Sequence, residues 1–483
     1  MRCYDVIVVG GGLLGCFTAR ALKRYDVSVA LLEAREDVCT GLSRANSAIV
    51  YGSQDNKPGT MKADVCRRAN ESFDTLCAQL GVRFERRGSL MVCFGENGLR
   101  KLNRGLERGA KNGVSGLRIL DRREALELEP TLNPDVFAAL YAENTGTVNP
   151  WELCLAAAEN AVMNGAELRL RERVLAVRRD GGGYVVVTGR EEYRCRCLVN
   201  CAGLGAEAVD RMLDVGEIGL EPTRADYIVL DEKSGRAVRH VLFYEPETRG
   251  KGIAAVPTTD GNLMLGPSEM QTGDAPAFET AEDGIRFIRE QTRLLLPHAD
   301  TENAVRFFST ARPNPFCRTD TGGERRSIDD FPILLPKSDP GYIGFTGIKT
   351  PGMTCAELLG RFAADRCAAY LRAGKADFDP VRRAGTRFSE LTDDQLNSLI
   401  ARDEGWGRIV CTCKNVTEGE IRSALRSQPP CTTVDGVKRR TGCCLGACQG
   451  SRCTERIVEL IAEELGVPAA SVEKGGEGSW IIR

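Results

Sequence analysis

Hydrophobic positions in the first 33 residues fall into two short, unbroken runs separated by glycine. Asp5 to Val9 is apolar and β-branched, Gly10-Gly11-Gly12-Leu13-Leu14-Gly15 follows at once, and Val27 to Leu32 is a second apolar run that ends on Glu33. Runs without polar alternation predict strands buried on both faces, and Cys16 to Arg24 between them predicts the connecting helix. Ala166 to Leu170 repeats the strand pattern. Tyr184 to Thr188, Tyr227 to Leu230, Ile253 to Pro257 and Leu263 to Leu265 read as strands among turn signals, with Asp260-Gly261-Asn262 turning between the last two. These stretches predict a mostly antiparallel sheet set between parts of the first unit. Leu391 to Asp403 is polar and helical in pattern, Thr417 with Glu420 spells a capping box, and Ile457, Val458, Leu460 and Ile461 mark a last amphipathic helix.

The opening strand–helix–strand unit carries G-x-G-x-x-G in the setting that gives this motif meaning. Gly10 allows the tight turn, Gly12 lets the backbone approach a pyrophosphate, and Gly15 brings helix against strand. The helix N-terminus then faces the phosphates. Glu33, at the end of the second strand, is placed to accept a hydrogen bond from a ribose hydroxyl and disfavours a 2′-phosphate by like charge; Arg35 nearby weakens that discrimination. A dinucleotide is expected, and the motif alone leaves FAD and NAD both open.

Composition narrows the class. A chain of 483 residues predicts two or three domains. The net charge is −2 with both signs mixed, which argues against a nucleic-acid face. No apolar run approaches the ~20 residues needed to cross a bilayer, and the first residues lead straight into a strand without a signal-peptide layout, so a cytoplasmic protein is expected. Of 20 cysteines, 13 are scattered through the first 400 residues, often in apolar runs, and read as small buried hydrophobes. The other seven crowd between Cys411 and Cys453. Only His240 and His298 are histidines, which nearly excludes a histidine-rich metal site.

The crowded cysteines form Cys411-Thr412-Cys413 and, later, Gly442-Cys443-Cys444-Leu445-Gly446-Ala447-Cys448-Gln449-Gly450-Ser451-Arg452-Cys453, with Cys431 between. Two close thiol pairs held at helix ends suit a [2Fe–2S] cluster. A structural Cys₄ zinc site is the competing reading, although zinc ribbons favour two intervening residues where this chain has one in the first pair and four in the second. A disulfide framework does not fit a reducing compartment.

Several segments together resemble the FAD-dependent oxidoreductase superfamily that includes D-amino-acid oxidase, glycine oxidase, L-2-hydroxyglutarate dehydrogenase and the flavin-linked glycerol-3-phosphate dehydrogenases. After the glycine motif and Glu33-Ala34, Ser43-Arg44-Ala45-Asn46-Ser47 resembles the family's polar loop along the pyrophosphate and flavin. Glu172-Arg173-Val174 resembles the segment that meets the adenine, and Leu198 to Gly203 the strand ending in Ala202-Gly203 beside the cofactor. Gly347-Ile348-Lys349-Thr350-Pro351-Gly352-Met353-Thr354 resembles the closing motif, where a helix N-terminus faces the flavin pyrimidine edge and favours negative charge there. The resemblance covers about residues 3–370 and implies FAD bound by Gly10, Gly12, Leu13, Leu14, Gly15, Glu33, Ala34, Ser43, Arg44, Ser47, Val174, Ala202, Gly203, Gly347, Gly352, Met353 and Thr354.

The stretch from Lys251 to Pro267 is more similar to the glycerol-3-phosphate and 2-hydroxyglutarate dehydrogenase branch than to the amino-acid oxidases, which implies an anionic substrate with an oxidisable secondary alcohol. Arg312 stands where the family sets a substrate-anion arginine in a Gly-hydrophobic-Arg-Pro loop, here written Thr310-Ala311-Arg312-Pro313. Arg249 and Lys251 are second candidates for the anion. Tyr51 stands where related dehydrogenases often carry a histidine base; both a substrate hydrogen bond and ordinary packing fit it, and a tyrosine with pKa near ~10 is a poor base. The cysteine-rich end resembles the bacterioferritin-associated-ferredoxin-like domain fused to related dehydrogenase subunits, which implies Cys411, Cys413, Cys448 and Cys453 as cluster ligands.

The resulting expectation is an α/β protein with a discontinuous Rossmann-like FAD-binding domain (about 1–80, 145–215 and 335–375) and an antiparallel-sheet substrate domain (about 81–144 and 216–334). A linker (376–405), a small helical [2Fe–2S] domain (406–468) and a tail (469–483) complete the chain. The implied function is oxidation of sn-glycerol 3-phosphate, with electrons leaving through the cluster to a partner protein subunit. The alternatives are a 2-hydroxy acid or an amino or imino acid as substrate, or a non-catalytic electron-transfer or redox-sensing subunit.

Overall fold

The computed structural model describes residues 1–244, 252–272, 276–318 and 325–482. The strand Arg2–Val9 pairs in parallel with Val29–Leu32 on one side and with Glu192–Asn200 on the other. Glu167–Arg169 extends this sheet beyond Val29–Leu32, and Tyr342–Phe345 joins the C-terminal half of Glu192–Asn200. The apolar runs end up central because both faces are covered, by helices on one side and on the other by Val177, Tyr184, Val186 and Val209, so every residue of Val29–Leu32 is buried. Helices Leu13–Leu22, Pro150–Met163 and Gly352–Leu371 pack on one face and share one hydrophobic core with the strands. The run Tyr184 to Thr188 belongs to this sheet. Gly183–Thr188 forms a hairpin with Glu192–Asn200, because the first half of that long strand has a free edge before Tyr342–Phe345 reaches it.

The second unit is a ten-stranded sheet. Its long strand Ile218–Leu230 lies antiparallel to Arg306–Cys317 over the full register, from Ile218 opposite Cys317 to Val229 opposite Arg306. Ser89–Cys93, Ala138–Ala142 and Leu117–Asp121 complete it through a parallel pairing of Ser89–Cys93 with Val241–Tyr244. The helix Glu282–Leu295 covers one face and buries Leu230, Leu265, Ile288 and Leu295. The other face meets the first unit through Ala48, Ile49, Ala225, Tyr227, Val241 and Met264.

Residues 376–390 run across the first unit. The Pro380 carbonyl accepts from the buried Arg20 guanidinium and the Asp379 carbonyl from the Asn160 amide. Asp393–Ile400 follows as a short helix with a Thr392–Gln395 capping box. The C-terminal unit packs Glu418–Leu425, Val434–Thr441 and Thr454–Leu465 around Ile421, Val437, Ile457, Ile461 and the buried cysteines. The expected Thr417–Glu420 capping box starts its first helix. Beyond Thr454–Leu465, Val472 joins this core, and Glu473 pairs with Arg171 of the first unit at 2.7 Å.

Candidate functional site

At the carboxyl ends of the parallel strands, Gly10 adopts φ +105° and donates to the Leu32 carbonyl at 2.8 Å. A Cβ there would lie 2.5 Å from the Cys201 carbonyl oxygen, so glycine alone closes this turn. A Cβ on Gly15 would fall on the Gly10 carbonyl, which fixes the close seat of helix Leu13–Leu22 on the strand. Gly12 is the N-cap of that helix, and Leu13 N–H donates to the Ser43 hydroxyl at 2.9 Å. The first-turn N–H groups have no acceptor within the helix, so this end is built for an anion. Leu14 packs its side chain against the core below.

Glu33 stands over this turn. Its carboxylate accepts from Gly11 N at 2.6 Å and from Arg35 N at 2.8 Å, which uses one lone-pair site on each oxygen and leaves others for ribose hydroxyls. Burial pushes its pKa up, and the two backbone donors and Arg35 offset part of that. Arg171 and Glu172 donate to the Arg35 and Glu33 carbonyls, so Glu172-Arg173-Val174 runs beside Ala34. Cys201 donates to Val9, and Ala202-Gly203 lies next to Leu42 of the loop that carries Ser43 and Arg44. The glycine motif, Glu33-Ala34, the Ser43–Ser47 loop, Val174 and Ala202-Gly203 therefore border one elongated cradle that fits a dinucleotide.

The closing motif meets the second sheet here. Gly352 starts helix Gly352–Leu371, with Met353 packed at its base, and the Thr354 hydroxyl accepts from Tyr51 N at 3.1 Å. Gly347 lies against Pro315 of the strand Arg306–Cys317. Lys349 Nζ donates to Asn314 Oδ1 at 3.0 Å, and Arg312 Nη2 donates to the Thr350 hydroxyl at 3.4 Å. Arg312 lies within this strand, not in a loop. Two prolines at 313 and 315 argue against a strand in the sequence, but Arg306–Pro315 is a sheet edge, where a missing N–H costs nothing.

Residues paired across a sheet share a face, so Arg312, Thr310 and Phe308 point the same way as Thr223, Ala225 and Tyr227. This is the face turned to Ile49 and Tyr51. Tyr227 stacks on Phe308 with ring centres 4.7 Å apart, and Tyr51 lies 6.3 Å from Phe243. The Tyr51 hydroxyl sits 3.5 Å from the Ser47 hydroxyl. Burial raises the Tyr51 pKa, with the Ser47 hydroxyl and the Arg312 charge pulling the other way, so Tyr51 is an even poorer base than a free tyrosine. Burial raises Tyr227 likewise. Glu269, which the sequence did not single out, stands 3.7 Å from Arg312. The cluster combines a cation, a carboxylate and aromatic walls beside the cofactor cradle, the chemistry that binds a small anion and handles a proton. His240 is held elsewhere by Glu129, 3.2 Å from Nδ1. Arg249 and Lys251 lie outside the described residues.

In the C-terminal unit the sulfurs of Cys413 and Cys448 are 3.6 Å apart, as are those of Cys444 and Cys453. Thiols of Cys443 and Cys453 donate to Cys411 and hold its pKa well below the usual range, while Cys453 holds Cys444 down to about 7. The thiols thus stand as one chain and one pair; among the described residues, no three His, Cys, Asp or Glu side chains are already closed around a single ion. A separation of 3.6 Å is close to the edge, roughly 3.8 Å, of a tetrahedron with metal–sulfur bonds of ~2.3 Å. Of the four thiols expected as ligands, Cys413 and Cys448 face each other, whereas Cys411 touches both Cys443 and Cys453, and Cys453 also touches Cys444. Cys431 is buried apart, its sulfur donating to the Ala424 carbonyl.

Asp37, four residues after Glu33, ties the two sites together. It is 1% exposed and accepts from Arg439 at 2.7 Å and from Arg440 at 2.7 and 3.1 Å. The Trp151 indole donates to the Arg44 carbonyl at 2.7 Å, and Lys438 lies 6.0 Å from its ring. Arg306 Nη1 donates to Gln449 at 3.3 Å, and Lys414 pairs with Glu232 at 2.7 Å. No sequence signal marked these contacts, since their partners lie from 107 to 403 residues apart in the chain.

Comparison with known proteins agrees with this geometry. The family described as FAD dependent oxidoreductase matches residues 5–366, and the BFD-like [2Fe-2S] binding domain matches residues 409–463. A glycerol 3-phosphate dehydrogenase of Caloramator mitchellensis is 37% identical over 99% of this chain and 98% of its own. A glycerol 3-phosphate oxidase of Mycoplasma pneumoniae is 26% identical over 75% of this chain and 94% of its own. Among solved structures, the dithionite-reduced, FAD-bound L-α-glycerophosphate oxidase of Mycoplasma pneumoniae superposes with a TM-score of 0.73 at 24% identity, over 79% of this chain and 99% of that one. At that identity the superposition speaks for the fold alone.

Proposed function

Because this chain belongs to the FAD dependent oxidoreductase family and carries a BFD-like [2Fe-2S] binding domain, we propose that it oxidises sn-glycerol 3-phosphate to dihydroxyacetone phosphate and passes the electrons through its cluster to a partner protein. The observation that carries this reading is Arg312, bonded to Thr350 of the closing flavin motif and set in the aromatic pocket of Tyr51, Tyr227 and Phe308. The full-length similarity to a glycerol 3-phosphate dehydrogenase supports the substrate.

In this assignment Gly10, Gly12, Leu13, Leu14, Gly15 and Ser43 hold the pyrophosphate, Glu33 and Ala34 the ribose, and Val174 the adenine side. Arg44, Ser47, Ala202, Gly203, Gly347, Gly352, Met353 and Thr354 border the flavin. Bound there, the flavin supplies the two-electron oxidant. Arg312 takes the phosphate as a forked donor, and Tyr51 and Ser47 contact the glycerol end. Cys411, Cys413, Cys448 and Cys453 hold the cluster. Arg306, Lys414 and Trp151 fix the cluster unit against the flavin unit, which keeps the distance between the two groups constant. No described helix is long and apolar enough to cross a membrane.

An anaerobic absorption spectrum of the purified holoprotein tests this. Addition of glycerol 3-phosphate is expected to bleach the flavin bands and the broad cluster shoulder together. Bands that stay oxidised with this substrate but bleach with a 2-hydroxy acid would replace the substrate, and bands unmoved by any small alcohol or amino acid would leave an electron-transfer subunit.

A further inference from the structure

Oxidation of a secondary alcohol releases a hydroxyl proton as well as a hydride, and the residues already placed in the pocket cannot take it. Tyr227 is buried and Tyr51 half-buried, and desolvation raises both pKa values, so both are neutral phenols at neutral pH. Arg312 is always charged. His240 is tied to Glu129, outside this cluster. Asp55 influences Tyr51 but is exposed, with its backbone carbonyl engaged by Arg108. The carboxylate that lies against the anion-binding guanidinium is Glu269.

Glu269 is held where it is by the backbone around it. The segment after the strand Leu263–Gly266 is anchored by Ser268. Its N–H donates to the Asp226 carbonyl at 3.1 Å, and its hydroxyl accepts from Asp226 N and donates to the Asp226 carboxylate, both at 2.8 Å. On the other side of Glu269, Met270–Gln271 pairs with Thr223 and Arg224. Thr223 is the register partner of Arg312 in the next strand. The carboxylate is thus pinned from both sides onto the Arg312 face, with its side chain 22% exposed and that of Arg312 15% exposed. Among the described residues, Arg312 and Tyr227 are charged or titratable groups turned toward it.

We propose that Glu269 is the general base of the reaction, a deepening of the glycerol 3-phosphate reading on which it rests. With the substrate phosphate on Arg312, the glycerol hydroxyl comes within reach of the carboxylate. As the C2–H electron pair leaves as hydride for the bound flavin, the O–H bond breaks. Its electron pair becomes the second bond of the carbonyl, and the proton forms an O–H bond on Glu269. Arg312 then has two roles. It anchors the phosphate, and in the free enzyme its guanidinium, 3.7 Å away, holds the Glu269 carboxylate in place.

The competing role for Glu269 is that of a counter-ion that only fills the empty anion site. Two measurements on the FAD- and cluster-loaded protein separate these. In Glu269→Gln, the single-turnover rate of flavin bleaching by saturating glycerol 3-phosphate is expected to fall about 10²- to 10⁴-fold, the usual span for loss of an acid–base group. The acid limb of its pH profile should disappear. Calorimetric binding of inorganic phosphate, which reports the Arg312 site without turnover, should stay equal or tighten. Glu269→Asp should recover part of the rate, and acetate should partly rescue Glu269→Ala, which a packing role would not allow. An unchanged bleaching rate with tighter phosphate binding would overturn the inference and leave the substrate reading in place. Unaltered protein that binds phosphate but is never bleached by glycerol 3-phosphate would overturn both.

Discussion

Arg312 shows how much one side chain can decide. It bonds Thr350, pairs with Glu269 and lowers the cost of ionising the tyrosines around it, all from one position in an edge strand. A charge-assisted hydrogen bond contributes roughly 2 kcal/mol, or about 30-fold in affinity. Arg312→Ala is therefore expected to raise KM for glycerol 3-phosphate by that order, with flavin content unchanged; steady-state kinetics against the flavin-to-protein ratio check this. Arg312→Lys should restore only part, since a point charge lacks the fork. At the same scale the glycine positions were readable without a structure. The contacts a Cβ would make at Gly10 and Gly15 are backbone contacts, and those follow from the local turn. Glu269 was not readable. Nothing in Gly266-Pro267-Ser268-Glu269 names Arg312 as its partner, which comes from another strand.

The elements behave in the same divided way. The capping box at Thr417 and the buried strand Val29–Leu32 are local features and appear where the periodicity put them. The hairpin Gly183–Thr188 and the edge strand Arg306–Cys317 depend on which neighbour is available, and that is a tertiary matter. The helix Val434–Thr441 brings Arg439 and Arg440 to Asp37, which sits in the loop after the Glu33 strand. Burial alone would raise Asp37, but the two guanidiniums outweigh it and hold its pKa below the usual 3.8. Because the folded value is depressed, this contribution to stability is present above pH ~4 and is lost as the pH falls through the lowered value. Asp37→Ala would strand two buried cations and is expected to cost about 3–5 kcal/mol. Chemical denaturation should show the loss, and limited proteolysis after residue 400 should show the C-terminal unit released first.

At the scale of the whole molecule, two redox units are clamped by charged and aromatic contacts on both sides of Asp37. Arg171 with Glu473, Lys414 with Glu232 and Arg306 with Gln449 spread the clamp across the C-terminal unit. That arrangement predicts separable chemistry. Cys411→Ser should abolish the cluster absorbance and its low-temperature electron paramagnetic resonance signal. Flavin bleaching by glycerol 3-phosphate should persist at a near-native rate, and reduction of an added protein acceptor should stop. Concurrent loss of flavin would mean that the cluster unit also holds the cofactor cradle together.

The sequence by itself determined the dinucleotide cradle, the thiol-rich end and the order of the cofactor segments, because each depends on residues close together in the chain. Glycines at fixed offsets, an acid at a strand end and a capping box need no distant partner to be recognised. What only the tertiary structure decided are the meetings between segments: Glu269 beside Arg312, the second sheet laid against Tyr51, and Asp37 locked into Arg439 and Arg440. Those depend on sheet register and on desolvation of charges brought together from far apart in the chain. No local pattern encodes them.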